Sequence, residues 1–196
     1  FCIAPTKTGD ISKTTITGRD KDDKPMGEKP NPNSCEVWRY GGVEDFKWAQ
    51  RDFKFGRTMS TACIVDDVVY ISELQGFLHC LDAKTGKHFW QYDTKASIWG
   101  SSYYADGKIF LNNDNDLLVF KHEKQHEVFD EIGAAKDAKT MKEAREAMKK
   151  VRAAVEKKYL LSKTEFDATM HSTPVIANGV LYVMTEKSLY ALKASK

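Results

Sequence analysis

Hydrophobic and polar positions recur along this chain in three blocks that share one layout. Each block has β-branched and aromatic residues on both sides of a two-residue polar turn, which favours two strands joined by a tight turn. The aligned blocks span residues 61–71, 101–111 and 173–183. Their turns are Asp66-Asp67, Asp106-Gly107 and Asn178-Gly179. Because Asp-Gly and Asn-Gly supply the positive φ of a tight hairpin, the pattern predicts three β-hairpins.

The spacing of equivalent turn residues predicts the architecture. Asp67 and Gly107 are 40 residues apart, and Gly107 and Gly179 are 72 apart, which is 40 plus a 32-residue insertion. A third apolar segment follows each hairpin, and a fourth follows the first hairpin at 88–92. Four strands in about 40 residues are typical of a propeller blade. The predicted fold class is therefore all-β, a partial β-propeller of about three four-stranded antiparallel blades with one helical insertion at about 137–158.

Composition and charge argue against nucleic-acid binding and against a transmembrane segment. The chain is 41% apolar and 30% charged, which is ordinary for a soluble globular domain. Thirty basic residues face 28 acidic ones, for a net charge of +2, so we expect no nucleic-acid partner. No apolar run approaches the roughly 18 residues needed to cross a bilayer, so we expect no transmembrane segment.

A short motif after the first hairpin carries a family resemblance. The segment Cys80-Leu-Asp82-Ala-Lys-Thr85-Gly86-Lys-His-Phe-Trp90 resembles the tryptophan-docking motif of the quinoprotein (pyrroloquinoline-quinone-like) propeller family. The resemblance implies that Trp90 packs between blades, that Thr85-Gly86 form a turn and that Asp82 satisfies nearby donors. A degraded copy consists of Thr8, Gly9 and, after an insertion, Trp38 in a strand at 36–40.

The repeats divide the chain into one partial propeller domain, 1–196, which we interpret as the C-terminal portion of a propeller. Its first segment is a mid-blade remnant and its last blade has three strands, so we expect a missing N-terminal propeller portion, from the same gene or a separate chain. The predicted segments are a blade remnant at 1–40, a loop insertion at 10–35, an aromatic insertion at 41–56, a blade at 58–94, a blade at 98–121 plus 158–164, a helical insertion at 122–157 and a closing blade at 170–193.

Two insertions carry candidate interaction residues. The aromatic insertion contains Phe46, Trp48, Phe53 and Phe55, which are either a small satellite core or a sugar- or protein-binding patch. The helical insertion opens with a capping box, Thr140 to Glu143. Its apolar stripe either packs on its own propeller or docks a partner. The stripe consists of Met141, Ala144, Met148, Val151, Val155 and Tyr159. The loop insertion at 10–35 is predicted to be extended and to lack a core.

Few residues are candidates for metal binding, disulfide formation or catalysis. The cysteines Cys2, Cys35, Cys63 and Cys80 lack zinc spacing, and either one or two disulfides or free thiols are consistent with their number. The run 112–116 is either a cation loop or, as we favour, a polar turn. His122 and His126 lie four residues apart in what we interpret as a charged linker.

The sequence therefore predicts a non-catalytic scaffold that binds other proteins through its insertions and one face. No catalytic, cofactor or metal residue is assigned, and no cofactor is expected. One alternative is part of a quinone-dependent dehydrogenase, for which the resemblance implies pyrroloquinoline quinone and calcium. Another is a structural subunit of an extracellular or envelope assembly. The family resemblance implies a secreted, periplasmic or cell-envelope location.

Overall fold

Residues 15–49 and 51–193 are described by a computed structural model, which divides into two units, Phe1–Arg39 and Tyr40–Lys196. In the first unit, β1 (Thr15–Arg19) pairs antiparallel with β2 (Pro25–Pro30). The prediction of an extended loop at 10–35 is therefore wrong over these residues.

The turn between β1 and β2 explains why the sequence concealed this hairpin. The Asp20 carboxylate accepts hydrogen bonds from the backbone N–H groups of Asp22 and Lys24, at 2.8 and 2.9 Å. An Asx-type turn of this kind folds the chain back without Gly-Gly or Asn-Gly. The charged residues of this turn were interpreted as part of an extended loop, whereas the Asp20 carboxylate closes a hairpin.

Three antiparallel sheets form the second unit. Two have four strands and one has three, each in sequential order, as expected for consecutive propeller blades. The first blade consists of β3 (Cys63–Val65), β4 (Val68–Ser72), β5 (Phe77–Asp82) and β6 (His88–Asp93). The second consists of β7 (Tyr103–Ala105), β8 (Lys108–Asn112), β9 (Asp116–Lys121) and β10 (Leu160–Glu165). The third consists of β11 (Val175–Ala177), β12 (Val180–Met184) and β13 (Leu189–Leu192).

The hairpin turns have the geometry that their residue types predicted. Both turn residues have positive φ in each blade, as a type I′ turn requires. The φ angles are 49° and 61° at Asp66-Asp67, 48° and 67° at Asp106-Gly107, and 52° and 72° at Asn178-Gly179. Local turn chemistry therefore sets the register of all three hairpins.

Two helices interrupt the second blade between β9 and β10. The short α1 (Glu131–Ala135) was not predicted, whereas α2 (Met141–Tyr159) begins and ends near the expected bounds of about 137–158. Thr140 caps α2, because its hydroxyl accepts the Glu143 N–H at 3.2 Å. The last helical residue, Tyr159, leads directly into β10, so the helix returns the chain to the blade that it left.

The main core lies between the first and second blades. Val68, Tyr70 and Leu78 from the first blade pack with Ile109 and Leu118 of the second, and all five are buried. Residues 36–40 lie outside any strand, so the predicted strand around Trp38 is wrong. The residues Thr8 and Gly9 of the degraded motif lie outside the described part of the chain.

Candidate binding surfaces

The third blade exposes a sheet face that is covered in the first two blades. Tyr70 and Phe110 occupy equivalent positions and are buried, whereas their counterpart Tyr182 is 37% exposed. Leu78 and Leu117 are likewise buried, whereas Leu189 is 67% exposed. Each buried face is covered by the following blade. The exposed face of the third blade is wholly apolar, and its members are Val175, Ala177, Val180, Tyr182, Met184, Leu189 and Ala191.

A repeated hydrogen bond links successive blades just before their first strands. The backbone N–H of Thr61 donates to the Ser101 hydroxyl at 2.8 Å. The N–H of Ser101 in turn donates to the Thr173 hydroxyl, also at 2.8 Å. These three residues are equivalent in the sequence repeat, so each blade uses one hydroxyl to satisfy the backbone of the blade before it.

The turn after β5 is organised by Asp82. Its Oδ1 accepts hydrogen bonds from the backbone N–H of Thr85 at 2.7 Å, from the Thr85 hydroxyl at 2.8 Å and from the N–H of Lys84 at 3.0 Å. These bonds lower the pKa of the Asp82 carboxyl, because each one favours the charged form. Gly86 completes the turn at a φ of 69°.

Trp90 lies in β6 with its ring fully buried. The ring stacks on Tyr159, with 4.9 Å between centroids and 19° between planes, and lies 6.2 Å from the ring of Phe120 in the second blade. Its contacts therefore include both the neighbouring blade and the last turn of α2. The sequence singled out Trp90 and placed Tyr159 in the apolar stripe of the helical insertion, but it did not indicate that the two rings stack.

His122 and His126 belong to a partly buried hydrogen-bond chain rather than to a simple charged linker. The indole N–H of Trp90 can only donate, so His126 Nδ1, 3.0 Å away, accepts. The remaining N–H of His126 is then at Nε2, 3.0 Å from Tyr70 Oη. Tyr70 donates to His122 Nδ1 at 2.9 Å, and His122 Nε2 faces an Asp66 carboxylate oxygen at 3.3 Å. This chain fastens the start of the helical insertion to the first blade.

A second buried network fastens the aromatic insertion. The Glu73 carboxylate, which is fully buried, accepts hydrogen bonds from the Arg51 guanidinium and from the backbone N–H of Gly56. His79 Nε2 lies 2.8 Å from Glu73, and Tyr40 Oη lies 3.3 Å from His79 Nδ1. A Cβ at position 56 would come within 2.1 Å of a Glu73 carboxylate oxygen, so only glycine permits this approach.

The charges of this network follow from its contacts. Burial by itself would raise the pKa of Glu73, but the hydrogen bonds from His79 and Arg51 outweigh it and lower the pKa. Burial lowers the pKa of His79, so a carboxylate and a neutral imidazole face one another. Both side chains are inaccessible to solvent, so the pair cannot contact a substrate and instead stabilises the fold.

The predicted interaction residues separate into three groups. Phe46, Trp48 and Met148 come together in one cluster with α1 and α2, where the Trp48 indole N–H donates to the Ala138 carbonyl at 3.3 Å. Phe55 lies elsewhere, against Tyr40 and His79. Phe53 and Met141 point outward and are 56% and 48% exposed. The stripe of α2 thus packs largely on its own chain, with Ala144, Met148, Val155 and Tyr159 buried.

A cavity of about 240 Å³ lies between the two insertions and the first blade. Its walls combine aromatic and aliphatic side chains with a balanced set of charges. The apolar and aromatic part is formed by Tyr40, Phe46, Ala49, Phe77, Ile132 and Met148. The charged part is formed by Glu44, Asp130, Glu131, Arg51, Lys54 and Arg152. His88 and Gln91 complete the lining. This cavity could not be predicted from the sequence, because residues of its walls are up to about 100 positions apart in the chain.

The remaining candidate sites hold internal contacts. Asn113 Oδ1 accepts the N–H groups of Asn115 and Asp116, and Asp116 pairs with Lys163, so 112–116 form a polar turn. The described cysteines, at positions 35, 63 and 80, are free thiols. Within residues 15–49 and 51–193, no group of three or more His, Cys, Asp or Glu side chains is placed to hold a metal ion. None of the described helices is long and apolar enough to cross a membrane.

The chain is similar to a known protein family and to several solved structures. The family described as outer membrane protein assembly factor BamB matches residues 31–157, which is 127 of the 196 residues. BamB from Moraxella catarrhalis is 13% identical over 69% of this chain and 33% of its own length, with a TM-score of 0.46. Quinohemoprotein alcohol dehydrogenase from Comamonas testosteroni is 14% identical over 65% of this chain and 17% of its own, with a TM-score of 0.42. The chain thus spans a third or less of these two structures. Sequences of curated proteins give no match.

Proposed function

This chain belongs to the outer membrane protein assembly factor BamB family of pyrroloquinoline-quinone-like repeats, and from that premise we propose that it is part of a non-catalytic β-propeller that binds other proteins. One observation carries the proposal. The aromatic and helical insertions fold together beside the first blade and leave apolar side chains and a cavity accessible. Blade packing does not require such a surface, whereas accessible apolar groups beside a rigid scaffold are typical of binding sites.

The proposed partner is a protein of the cell envelope. The family description, outer membrane protein assembly factor, supports a role in assembling other proteins. The exposed Phe53 and Met141 on the two insertions are the residues that we assign to the contact. Aromatic and methionine side chains of this kind are enriched in protein interfaces.

The motif around Trp90 has a supporting role in this proposal. We assign Asp82, Thr85, Gly86 and Trp90 to the tryptophan-docking motif of the family. The hydrogen bonds that converge on Asp82 and the buried ring of Trp90 support that assignment. The motif holds the first blade against the second and so positions the insertions that bind the partner.

Site-specific photo-crosslinking tests the binding role in the full-length protein in its own cells. A benzophenone amino acid at position 53 or 141 should give one discrete adduct with an envelope protein, identified by mass spectrometry. The same group at Lys187, an exposed residue of the third blade, should give none. A double Phe53→Ser, Met141→Ser variant should weaken binding of the identified protein at least tenfold. Met59→Ser, at a methionine that is more exposed than Met141, should not.

Two results would contradict a non-catalytic scaffold. One is the absence of any adduct at both insertion positions. The other is dye-linked dehydrogenase activity of the purified protein after addition of pyrroloquinoline quinone and calcium, with the quinone absorbance of a bound cofactor.

The exposed face of the third blade supports a further part of the proposal, that another blade of a longer propeller covers it. A second copy of this chain is a poor fit, because Tyr40 and Phe55 already cover the face of the first blade that would have to meet it. Hydroxyl-radical footprinting of the full-length protein should show Tyr182 and Met184 protected, and Met59 and Trp99 reactive. Equal reactivity of Met184 and Met59 would show that the face is open, and concentration-dependent protection would indicate self-association.

A further inference from the structure

The cavity between the insertions has the size of a single large side chain. Its volume of about 240 Å³ lies below the roughly 300–1,000 Å³ of pockets that hold drug-sized ligands. One wall is carried by the aromatic insertion, through Phe46, and another by α2, through Met148. The floor is the first blade, through Phe77. Each wall is fastened by its own buried network, so the cavity is built into the fold.

The charges of the lining balance, and two of its three basic side chains, Arg51 and Arg152, already have carboxylate partners. Three acidic and three basic side chains face the cavity, which leaves no net charge. The Arg51 guanidinium is bound by Glu73 and by the Lys54 carbonyl, and it lies 4.3 Å from the centroid of the Phe77 ring. Arg152 Nε donates to Glu131 at 2.7 Å. The lining has no net charge to offset the hydration that a charged occupant would lose, so an uncharged occupant is favoured.

The uncharged part of the lining favours an aromatic group. The rings of Tyr40, Phe46 and Phe77 offer offset or edge contacts, which stabilise aromatic pairs beyond simple burial. The thioether of Met148 adds a polarizable contact of the kind that sulfur makes with ring edges. An aliphatic side chain would bury similar area without these directional contacts.

We propose that this cavity binds an uncharged aromatic side chain presented by the protein partner. The inference rests on the proposed function, since it names the anchor by which a partner would dock beside Phe53 and Met141. An aromatic anchor in a small, desolvated pocket is the usual centre of a protein interface. The chemistry is shared by free aromatic compounds, so the test separates the two sources.

The test uses the full-length protein with ¹³C-methyl-labelled methionine and three probes. N-acetyl-tryptophanamide represents a side chain within a peptide, indole a free aromatic compound, and benzoate a charged one. We expect N-acetyl-tryptophanamide to shift the Met148 methyl signal saturably and to leave Met141, on the same helix, unchanged. Ala49→Phe, which fills the cavity, should weaken this binding at least tenfold. If methyl dispersion shows that Ala49→Phe is misfolded, Ile132→Phe serves the same purpose.

Several outcomes would overturn the inference. These are an unchanged Met148 signal at the solubility limit, a shift that persists in the filled variant, or equal binding of benzoate. Indole binding at least tenfold tighter than N-acetyl-tryptophanamide would assign the cavity to a free small molecule instead. A crosslinked partner at positions 53 or 141 without probe binding would refute this inference alone and leave the binding role intact.

Discussion

At the scale of single residues, Trp90 joins three parts of the molecule. Its ring contacts the second blade through Phe120 and the helical insertion through Tyr159, and its N–H begins the chain that runs through His126. The sequence could predict that Trp90 is buried, because the motif around it is local. It could not predict the contacts of Trp90 with His126 and Tyr159, which lie 36 and 69 residues further along the chain.

Replacing Trp90 should therefore remove both the packing of its buried ring and the hydrogen bond from its indole N–H. We expect Trp90→Ala to lower the free energy of unfolding by about 3–5 kcal/mol, the range for large aromatic truncations. Trp90→Phe keeps most of the ring but leaves His126 without its donor, and should cost about 1–3 kcal/mol. Urea denaturation measures both. Trp99→Ala, at a ring that is 40% exposed, is the matched control and should cost less than about 1 kcal/mol.

At the scale of helices and strands, an element was predicted correctly when the residues that specify it lie close together in the sequence. The three hairpins and α2 were predicted from their turn residues, their apolar periodicity and a capping residue, all within a few positions of one another. The β1–β2 hairpin was missed because an Asp side chain closes its turn. The strand expected around Trp38 was inferred from a motif split by an insertion, and the structure has no strand at 36–40.

The cap of α2 makes a specific prediction. Thr140 accepts the Glu143 N–H, and Glu143 accepts the N–H of Lys139 at 2.9 Å, one residue earlier than in the usual capping box. Thr140→Ala should lower stability by about 1 kcal/mol, because one backbone donor loses its partner. Hydrogen exchange in the first turn of α2 should accelerate correspondingly. Lys142→Ala, on the exposed side of the same turn, should change neither quantity.

At the scale of the whole molecule, both insertions depend on histidines that must be neutral. Burial lowers the pKa of His126 and of His88 to about 4 in each case, and it lowers the pKa of His79 as well. The cavity and these networks could not be predicted from the sequence, since they arise where distant segments meet. His122 and His126 were visible as a pair, but only the fold shows that Tyr70 lies between them.

The depressed histidine pKa values predict stability that falls in acid. An unfolded histidine has a pKa of about 6.5, so between pH 6.5 and 4 the unfolded chain binds more protons than the folded one. Stability should therefore decrease as the pH falls through this window, by up to about 3 kcal/mol for His88 and by less for His126, whose charge is partly screened by solvent. Thermal unfolding from pH 7.5 to 4 measures the slope. His126→Gln should flatten the slope. A wild-type slope of zero or of opposite sign would contradict neutral, buried histidines.

The hydroxyl link between blades gives the chain a direction of assembly. Thr61 finds its acceptor only when Ser101 is in place, and Ser101 only when Thr173 is. During synthesis we expect the first and second blades to leave the ribosome before their acceptors do, so that water hydrates the N–H groups of Thr61 and Ser101 until the next blade emerges. These two blades are therefore completed only by the blade that follows them in the nascent chain. A pause in translation between blades would prolong the time for which the edge of the earlier blade lacks its partner.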